Sequence, residues 1–334
     1  MKFVRFDEGK TGIVMAGQSP HVLDVAASLG WFRSVDRASA DRLGPLFTGD
    51  GRGSWRAMIE QWSEVRDALG ALLNAVAKDG TGFALKSPGA VRIGVPLASA
   101  SPHIFSIGGN VAVHVSRAMK AITGKDIPVD AIAKEKANGL PPWGFYVYAE
   151  TVVPTGALVA PPAGVQKFDY EGEVAVILAS GGRDVKPEHI KIWGYAAWND
   201  FSIRDPRVWI GPAIGRGAFN WDLEKNFDTG NAMGPCVVVD EGGNVDKLRV
   251  VTRVSGEVRQ DWNTSEMIYS FADVAAHLSR YLSLQPTDVI TSGTGSGTAI
   301  EAGRDGNRWL KPGDTVEVEV EGAGALLTNT VGKW

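Results

Sequence analysis

The chain has a single cysteine, Cys236, so it can form no intrachain disulfide and no multi-cysteine zinc site. That residue falls in Pro235-Cys236-Val237-Val238-Val239, which reads as a buried strand with the thiol as a small core group. An apolar leader is missing too: Met1-Lys2-Phe3-Val4-Arg5-Phe6-Asp7-Glu8 carries charges where a signal peptide needs an apolar core. No later run reaches transmembrane length, and a cytoplasmic protein is expected. Nor is there an excess of positive charge; the formal charge is -4, which gives no electrostatic case for nucleic acid or an anionic membrane as partner. Internal repeats and low-complexity tracts are absent. The glycine-rich Gly293-Thr294-Gly295-Ser296-Gly297 lacks the dinucleotide fingerprint and the Gly-Lys-Ser/Thr ending of a phosphate loop. A turn whose N–H groups approach a carboxylate or oxyanion fits it better.

What is present is an ordinary globular composition, 44% hydrophobic and 22% charged over 334 residues, enough for a large core and about two domains. Residues 2–6 and 12–16 read as a β-hairpin, followed by a short helix near His21 to Leu29. Trp55, Met58, Ile59, Trp62, Val65, Leu69, Leu72 and Leu73 recur at helical spacing and mark a long amphipathic helix. These make residues 1–88 a small α+β domain. A strand at Val91 to Val95 and the Ser101-Pro102 stretch lead into a second unit, residues 89–334. There, short valine-rich strands alternate with Gly/Pro/Asp turns, a mostly β pattern. One helix interrupts it: Ser270 with Asp273 forms a capping-box spacing, and Val274, Leu278, Tyr281 and Leu282 give its buried stripe. Residues 111–140, with the charged Lys134-Glu135-Lys136, form a candidate lid.

Chemistry concentrates in three acids. If Phe168 to Leu178 is a strand, Glu171 and Glu173 share a face. The following Val174-Ala175-Val176-Ile177-Leu178 is apolar at every position, which points to burial on both sides. Two carboxylates so placed repel unless a cation sits between them. Asp200, after the apolar Tyr195-Ala196-Ala197-Trp198, completes an oxygen set suited to Mg²⁺ or Mn²⁺, with Ca²⁺ also accepted by such a shell. The alternative is a solvated strand face, and the same chain offers an instance: Glu317, Glu319 and Glu321 alternate with Val316, Val318 and Val320.

These segments, together with Lys225-Asn226-Phe227-Asp228, the run from Gly256 to Ile268, Gly293 to Gly297 and Leu310-Lys311-Pro312-Gly313-Asp314, resemble the fumarylacetoacetate hydrolase family, in the family's order over roughly residues 104 to 331. The resemblance implies an α+β, mostly β fold with a mixed β-roll catalytic domain, and a homodimer. It implies Glu171, Glu173 and Asp200 as metal ligands and a 2-oxo acid as substrate. Lys225 would meet the developing enolate or the substrate carboxylate, unless it is a surface lysine near a turn. Thr294 would hold the carboxylate. Arg204 would line the pocket or else pair with Asp205 or Asp228.

His114, in Gly108-Gly109-Asn110-Val111-Ala112-Val113-His114, matches the family's general base. Hydrolytic relatives usually carry a glutamate three residues later to orient it; here Arg117 stands there, and Val111 replaces a tyrosine. Glu135 or Glu150 would then supply the acid, or the water-activating pair is absent. Phe145 to Glu150 also lacks a lysine common in relatives. The expected function is metal-dependent hydrolysis of a C–C bond in a 2,4-dioxo acid. Decarboxylation, isomerisation or dehydration through the same enolate is the first alternative, and a non-catalytic metal- or ligand-binding protein the second. Eleven tryptophans, among them Trp143, Trp198, Trp209 and Trp221 near these segments, permit an apolar pocket.

Overall fold

The computed structural model describes residues 1–15, 21–47, 51–99, 102–205, 222–240, 243–303 and 305–334. Trp209 and Trp221 lie outside them. The architecture is α+β and mostly β. A twelve-stranded mixed sheet forms its spine, in the order β4 (Leu85–Lys86), β3 (His21–Asp24), β2 (Lys10–Met15), β1 (Lys2–Phe6), β14 (Asn231–Val238), β12 (Ile192–Asp200), β11 (Gly172–Leu178), β17 (Val289–Thr291), β6 (Ile104–Gly108) and β7 (Trp143–Val147). Two short strands join it off this path, β5 (Ile93–Gly94) on β1 and β8 (Val152–Val153) on β14. A second sheet runs β16 (Glu257–Asn263), β15 (Arg249–Val254), β18 (Thr315–Val320), β19 (Leu327–Val331) and β9 (Leu158–Val159). A small ribbon pairs β10 (Phe168–Asp169) with β13 (Ser202–Ile203).

The apolar run of β11 follows from this layering. Val174, Val176 and Leu178 enter the core shared with the second sheet, while Ala175 and Ile177 enter the core under the N-terminal helices. A strand covered on both faces has no place for polar residues. That second core is closed by α1 (Val25–Val35), α2 (Arg37–Leu43), α3 (Arg56–Glu60) and α4 (Trp62–Lys78), the last burying Val65, Ala68, Leu69, Leu72 and Val76. Each fully buried aliphatic side chain contributes about 1.5–3 kcal/mol of transfer free energy. Strand β1 pairs antiparallel with β14, so the N-terminal strands extend the same sheet that carries Asp200.

Several local expectations are corrected. His21 to Asp24 is strand rather than helix, because β2 and β4 flank it; the helix starts at Val25, where Asp24 accepts a hydrogen bond from the Ala27 N–H. The long helix breaks at Gln61, whose φ of -106° and ψ of 20° leave the helical region. Only Ile93–Gly94 of the 91–95 segment pairs as strand. The helix capped by Ser270 and Asp273, α7 (Phe271–Ser279), forms with its capping box intact and buries Val274. It ends before Tyr281, which is 70% exposed rather than part of a buried stripe. The presumed strand from Phe168 to Leu178 is interrupted at Tyr170-Glu171, between β10 and β11.

Candidate metal and acid–base site

Glu171, Glu173 and Asp200 meet where β11 begins and β12 ends. The antiparallel register sets Gly172 opposite Asn199 and Glu173 opposite Trp198, and the Asp200 N–H donates to the Glu171 carbonyl at 3.0 Å. All three acids are buried, and one oxygen from each lies within 4.8 Å of the others. Lys225 projects into the group. Its Nζ donates to Glu171 Oε2 at 2.7 Å, Asp200 Oδ2 at 2.7 Å and Ser202 Oγ at 2.6 Å. Three donors are all that an ammonium has, so the surface alternative for this lysine is excluded and its place is inside the carboxylate cluster. Arg204 bridges Glu171 and the buried Asp169, with Nε 3.2 Å from Asp169 Oδ2. These two acids are among its partners, and Asp205 accepts from the N–H groups of Gln166 and Lys167.

The electrostatics leave room for a cation. Burial, and then the neighbouring Asp200 and Glu171, raise the Glu173 carboxyl well above its ordinary range. Burial pushes Asp200 up to about 7 against the opposing pull of Lys225. Burial would raise Glu171 too, but Arg204 and Lys225 outweigh it and hold that carboxyl below the usual range. Glu173 Oε2 and Asp200 Oδ1 are buried without a hydrogen-bond partner. The described lysine and arginine side chains paired with Asp169, Glu171 and Asp200 are Lys225 and Arg204, so these three acids and Glu173 together keep two negative charges over them when all four are ionised and His114 is neutral. A buried charge left uncompensated costs several kcal/mol, so the set fits a divalent cation bound through oxygen.

Across the same cavity stands a second pair. His114 sits on α5 (Ala112–Thr123), part of the 111–140 segment that also holds α6 (Val129–Ala133). Its Nδ1 lies 2.7 Å from Glu301 Oε1. Glu301 belongs to the short 3-10 turn Ala299–Ala302 just past the glycine-rich loop. It also accepts from Ser296 Oγ at 2.7 Å and the Gly297 N–H at 3.0 Å. Burial works to raise this carboxyl, but the bonds from His114 and Ser296 hold it below its usual range. The acid that lies against His114 is thus Glu301 rather than Glu135 or Glu150. Glu150 lines a different cavity, with Arg5 and Arg52. Arg117 occupies the next turn of α5 and turns to the same acid, donating to Ser296 Oγ at 2.6 Å with its guanidinium 3.8 Å from Glu301 Oε2.

Asp169 ties the two halves together. Its carboxylate accepts from the Ala299 N–H at 2.7 Å and the Ile300 N–H at 3.1 Å while holding Arg204, so the turn bearing Glu301 is fastened to the strand that leads into Glu171. Gln260 orders the glycine-rich loop: its Nε2 donates to Thr294 Oγ1 at 2.8 Å and the Gly295 carbonyl at 2.9 Å, and its Oε1 accepts from the Gly172 N–H. Gly297 has φ of +114° and lies so close to the Arg259 carbonyl that a Cβ would collide with it. Thr294 Oγ1 donates to the Gly172 carbonyl at 3.1 Å. His114, Glu171, Glu173, Asp200, Arg204, Lys225 and Thr294 all line one cavity of about 140 Å³. All seven expected residues are therefore brought together. Glu301 and Asp169 were missed. Thr298-Ala299-Ile300-Glu301 has capping-box spacing, which reads as a helix start and hides the acid's proximity to a histidine 187 residues away.

The fumarylacetoacetate hydrolase C-terminal model matches residues 103–331. A human mitochondrial oxaloacetate tautomerase is 32% identical over 191 residues, covering 56% of this chain and 58% of its own. The chain spans about half the length of the curated relatives it matches. Among solved structures, the fumarylacetoacetate hydrolase of Exiguobacterium antarcticum superposes with a TM-score of 0.66 at 24% identity, covering 100% of both chains. The maleylpyruvate hydrolase of Sphingobium sp. SYK-6, in complex with manganese(II) and pyruvate, gives 0.66 at 19% identity with 99% of each chain covered. At these identities the structures establish a shared fold. No helix among the described residues is long and apolar enough to cross a membrane.

Proposed function

Because the chain belongs to the fumarylacetoacetate hydrolase family, we propose that it is a metal-dependent hydrolase that cleaves a C–C bond in a short 2,4-dioxo acid. The observation that carries this reading is one cavity with two kinds of machinery: a buried Glu171–Glu173–Asp200 set, and a His114–Glu301 pair 2.7 Å apart. Glu171, Glu173 and Asp200 would hold a divalent cation, Mg²⁺ or Mn²⁺ being the proposed ions, which would supply Lewis-acid stabilisation of an enolate.

The residues of the chain do the rest. Glu301 accepts from Nδ1–H, which fixes the imidazole in the tautomer with Nε2 free to act as a base. Nε2 takes a proton from water as its oxygen attacks the C4 carbonyl carbon. The C3–C4 bond breaks, its electron pair passes into the C2–C3 enolate, and His114 returns the proton to C3. The products are a carboxylic acid and a 2-oxo acid ending in a methyl group. Glu301, still ionised, stabilises the imidazolium formed in between. Lys225 is fully engaged with Glu171, Asp200 and Ser202, so its role here is to hold those carboxylates in place and moderate their charge. Thr294 orders the loop facing the substrate carboxylate. Residues 111–140, which carry the base, serve as the lid, and a homodimer is the proposed assembly.

A second reading is keto–enol tautomerisation or isomerisation, in which the same pair moves a proton at C3 and no water is consumed. The 32% match to an oxaloacetate tautomerase and the small cavity favour it. Product analysis separates the two. Metal-dependent loss of the dioxo chromophore with two acid products supports hydrolysis. A change of chromophore with the carbon skeleton intact replaces it by tautomerisation. Metal binding with no turnover of any 2-oxo acid overturns both and leaves a binding protein.

A further inference from the structure

Asp169, at the end of β10, is wholly buried, yet its carboxylate is placed unlike those of the acids beside it. Its Oδ1 accepts from the Tyr170 N–H at 2.9 Å and the Ala299 N–H at 2.7 Å. Its Oδ2 accepts from the Ile300 N–H at 3.1 Å and from Arg204 Nε at 3.2 Å. An ionised carboxylate offers about four acceptor sites, and each oxygen of this one meets two donors. Glu173 Oε2 and Asp200 Oδ1, by contrast, have no hydrogen-bond partner. The protein saturates Asp169, which therefore stands apart from the acids suited to an ion.

What Asp169 holds is the start of the turn Ala299–Ala302. The first N–H groups of a helical turn find no acceptor within the turn and need one from outside. Thr298, in the N-cap position, does not serve them: its side chain makes no cap hydrogen bond, and its hydroxyl lies 3.3 Å from Glu301 Oε1 instead. Asp169, 130 residues before Ala299, supplies both acceptors. Glu301 follows Ile300 directly, with its side chain on His114 Nδ1 at 2.7 Å. The bonds that Glu301 receives from Ser296 and the Gly297 N–H come from the same loop and move with it. Those to Asp169 refer the turn to the strand that leads into Glu171, and the Tyr170 hydroxyl adds a neighbouring tether on the Gly297 carbonyl at 3.0 Å.

We propose that Asp169 is a positioning residue for the acid–base pair: by capping the Ala299–Ala302 turn from β10, it sets Glu301 against His114 and so selects the imidazole tautomer. Asp169 does not itself line the cavity, and it acts through Glu301. The inference rests on the acid–base reading of His114 and Glu301 above, and not on which reaction the pair serves. Replacing the carboxylate by an amide sets an N–H₂ group against converging donors, so the turn loses part of its anchor while the volume at the site is unchanged.

The test reads the tautomer directly. Long-range proton–nitrogen NMR of the full chain in the presence of Mg²⁺, at a pH where the imidazoles are neutral, separates Nδ1–H from Nε2–H, and His114→Gln assigns the signal. Wild-type His114 is expected in the Nδ1–H form. In Asp169→Asn that form should be lost, and kcat should fall about 10²-fold with KM nearly unchanged on any 2-oxo acid that the wild type turns over. A merely structural role would lower the melting temperature and leave the tautomer as it was. An Nδ1–H form retained in folded Asp169→Asn overturns the positioning role alone. Wild-type His114 found in the Nε2–H form overturns the acid–base reading and this inference with it. Should the variant fail to fold, hydrogen exchange on the wild type decides. The Ala299 and Ile300 amides should be as protected as those of β11, and exchange at the rate of an exposed loop overturns the proposal.

Discussion

Two stretches of this protein carry glutamates at alternate positions, one in a buried cluster of acids and the other at the surface. On β18 and just past its end, Glu317, Glu319 and Glu321 alternate with Val316, Val318 and Val320, which fill the core. Glu319 meets Arg253 at 2.8 Å at the surface, where water meets any remaining need. Glu171 and Glu173 flank the start of β11, whose every residue is buried, and two carboxylate oxygens of that cluster lack any partner. The spacing is shared; the surroundings are opposite. What distinguishes a ligand pair from a solvated face is the character of the positions between and beyond the acids, because burial on both sides removes the water that makes a surface carboxylate cheap.

The most severe way to break the comparison is to neutralise the buried acids. Glu173→Gln or Asp200→Asn should abolish turnover and weaken Mg²⁺ binding by more than about 100-fold by calorimetry, since outer-shell changes alone cost 10–100-fold. Melted without metal at pH 8, Glu173→Gln should be more stable than the wild type by a few degrees, because it removes a carboxylate whose charged form is penalised by burial. Wild-type metal affinity in either variant would remove the metal assignment. The counterpart on the exposed strand, Glu319→Gln, should shift stability by no more than about 0.5 kcal/mol and leave metal binding unchanged.

Next in size is the acid–base pair. Glu301→Gln should lower kcat by about 10²–10⁴ while Mg²⁺ affinity stays near that of the wild type, since the residue acts through His114 rather than as a ligand. A parallel loss of metal binding would mean that the glutamate belongs to the ion's coordination instead.

Proton competition gives an effect of about tenfold per pH unit for each proton displaced. Asp200, raised to about 7 by burial, is protonated in the metal-free protein below that value and must lose its proton to act as a ligand. Its raised pKa contributes to metal-free stability below the unfolded carboxylate's range, and that contribution disappears as pH rises through about 7. Mg²⁺ affinity should therefore fall as pH drops from 8 to 6, and the melting-temperature gain on adding Mg²⁺ should be larger at pH 8 than at pH 6. A gain that shrinks as pH rises would contradict the buried-ligand account.

Within the buried site, the smallest effect is expected at Arg117. Its exposed guanidinium reaches Glu301 through Ser296, so Arg117→Ala should cost a few-fold in kcat. Rescue by Arg117→Lys would show that its charge suffices.

Much of the site was legible from residue order alone. The acids at 171, 173 and 200, the lysine at 225, the threonine at 294 and the histidine at 114 sit in motifs whose residues are close in sequence, and they all line one cavity. The capping box at Ser270 was legible for the same reason, being a contact across three residues. The N-terminal strand at His21–Asp24 was not, because its extended conformation is imposed by pairing with β2 and β4 against a local pattern that suits a helix start. Glu301 was hidden in the same way: what singles it out is a contact to residue 114, and nothing near it in the sequence reports that distance.

The amino-acid sequence by itself determined the mostly β class, the family and the buried run of β11, and it singled out the three acids that cluster there, since each follows from periodicity or from motifs contained within a few residues. Only the tertiary structure decided that Lys225 spends its three donors inside the carboxylate cluster, that Glu301 rather than Glu135 or Glu150 lies against His114, and that Asp169 fastens the turn bearing Glu301 to the strand that leads into Glu171. These are contacts between segments far apart in the chain, set by how sheet, turn and helix pack, and short-range patterns carry no information about them.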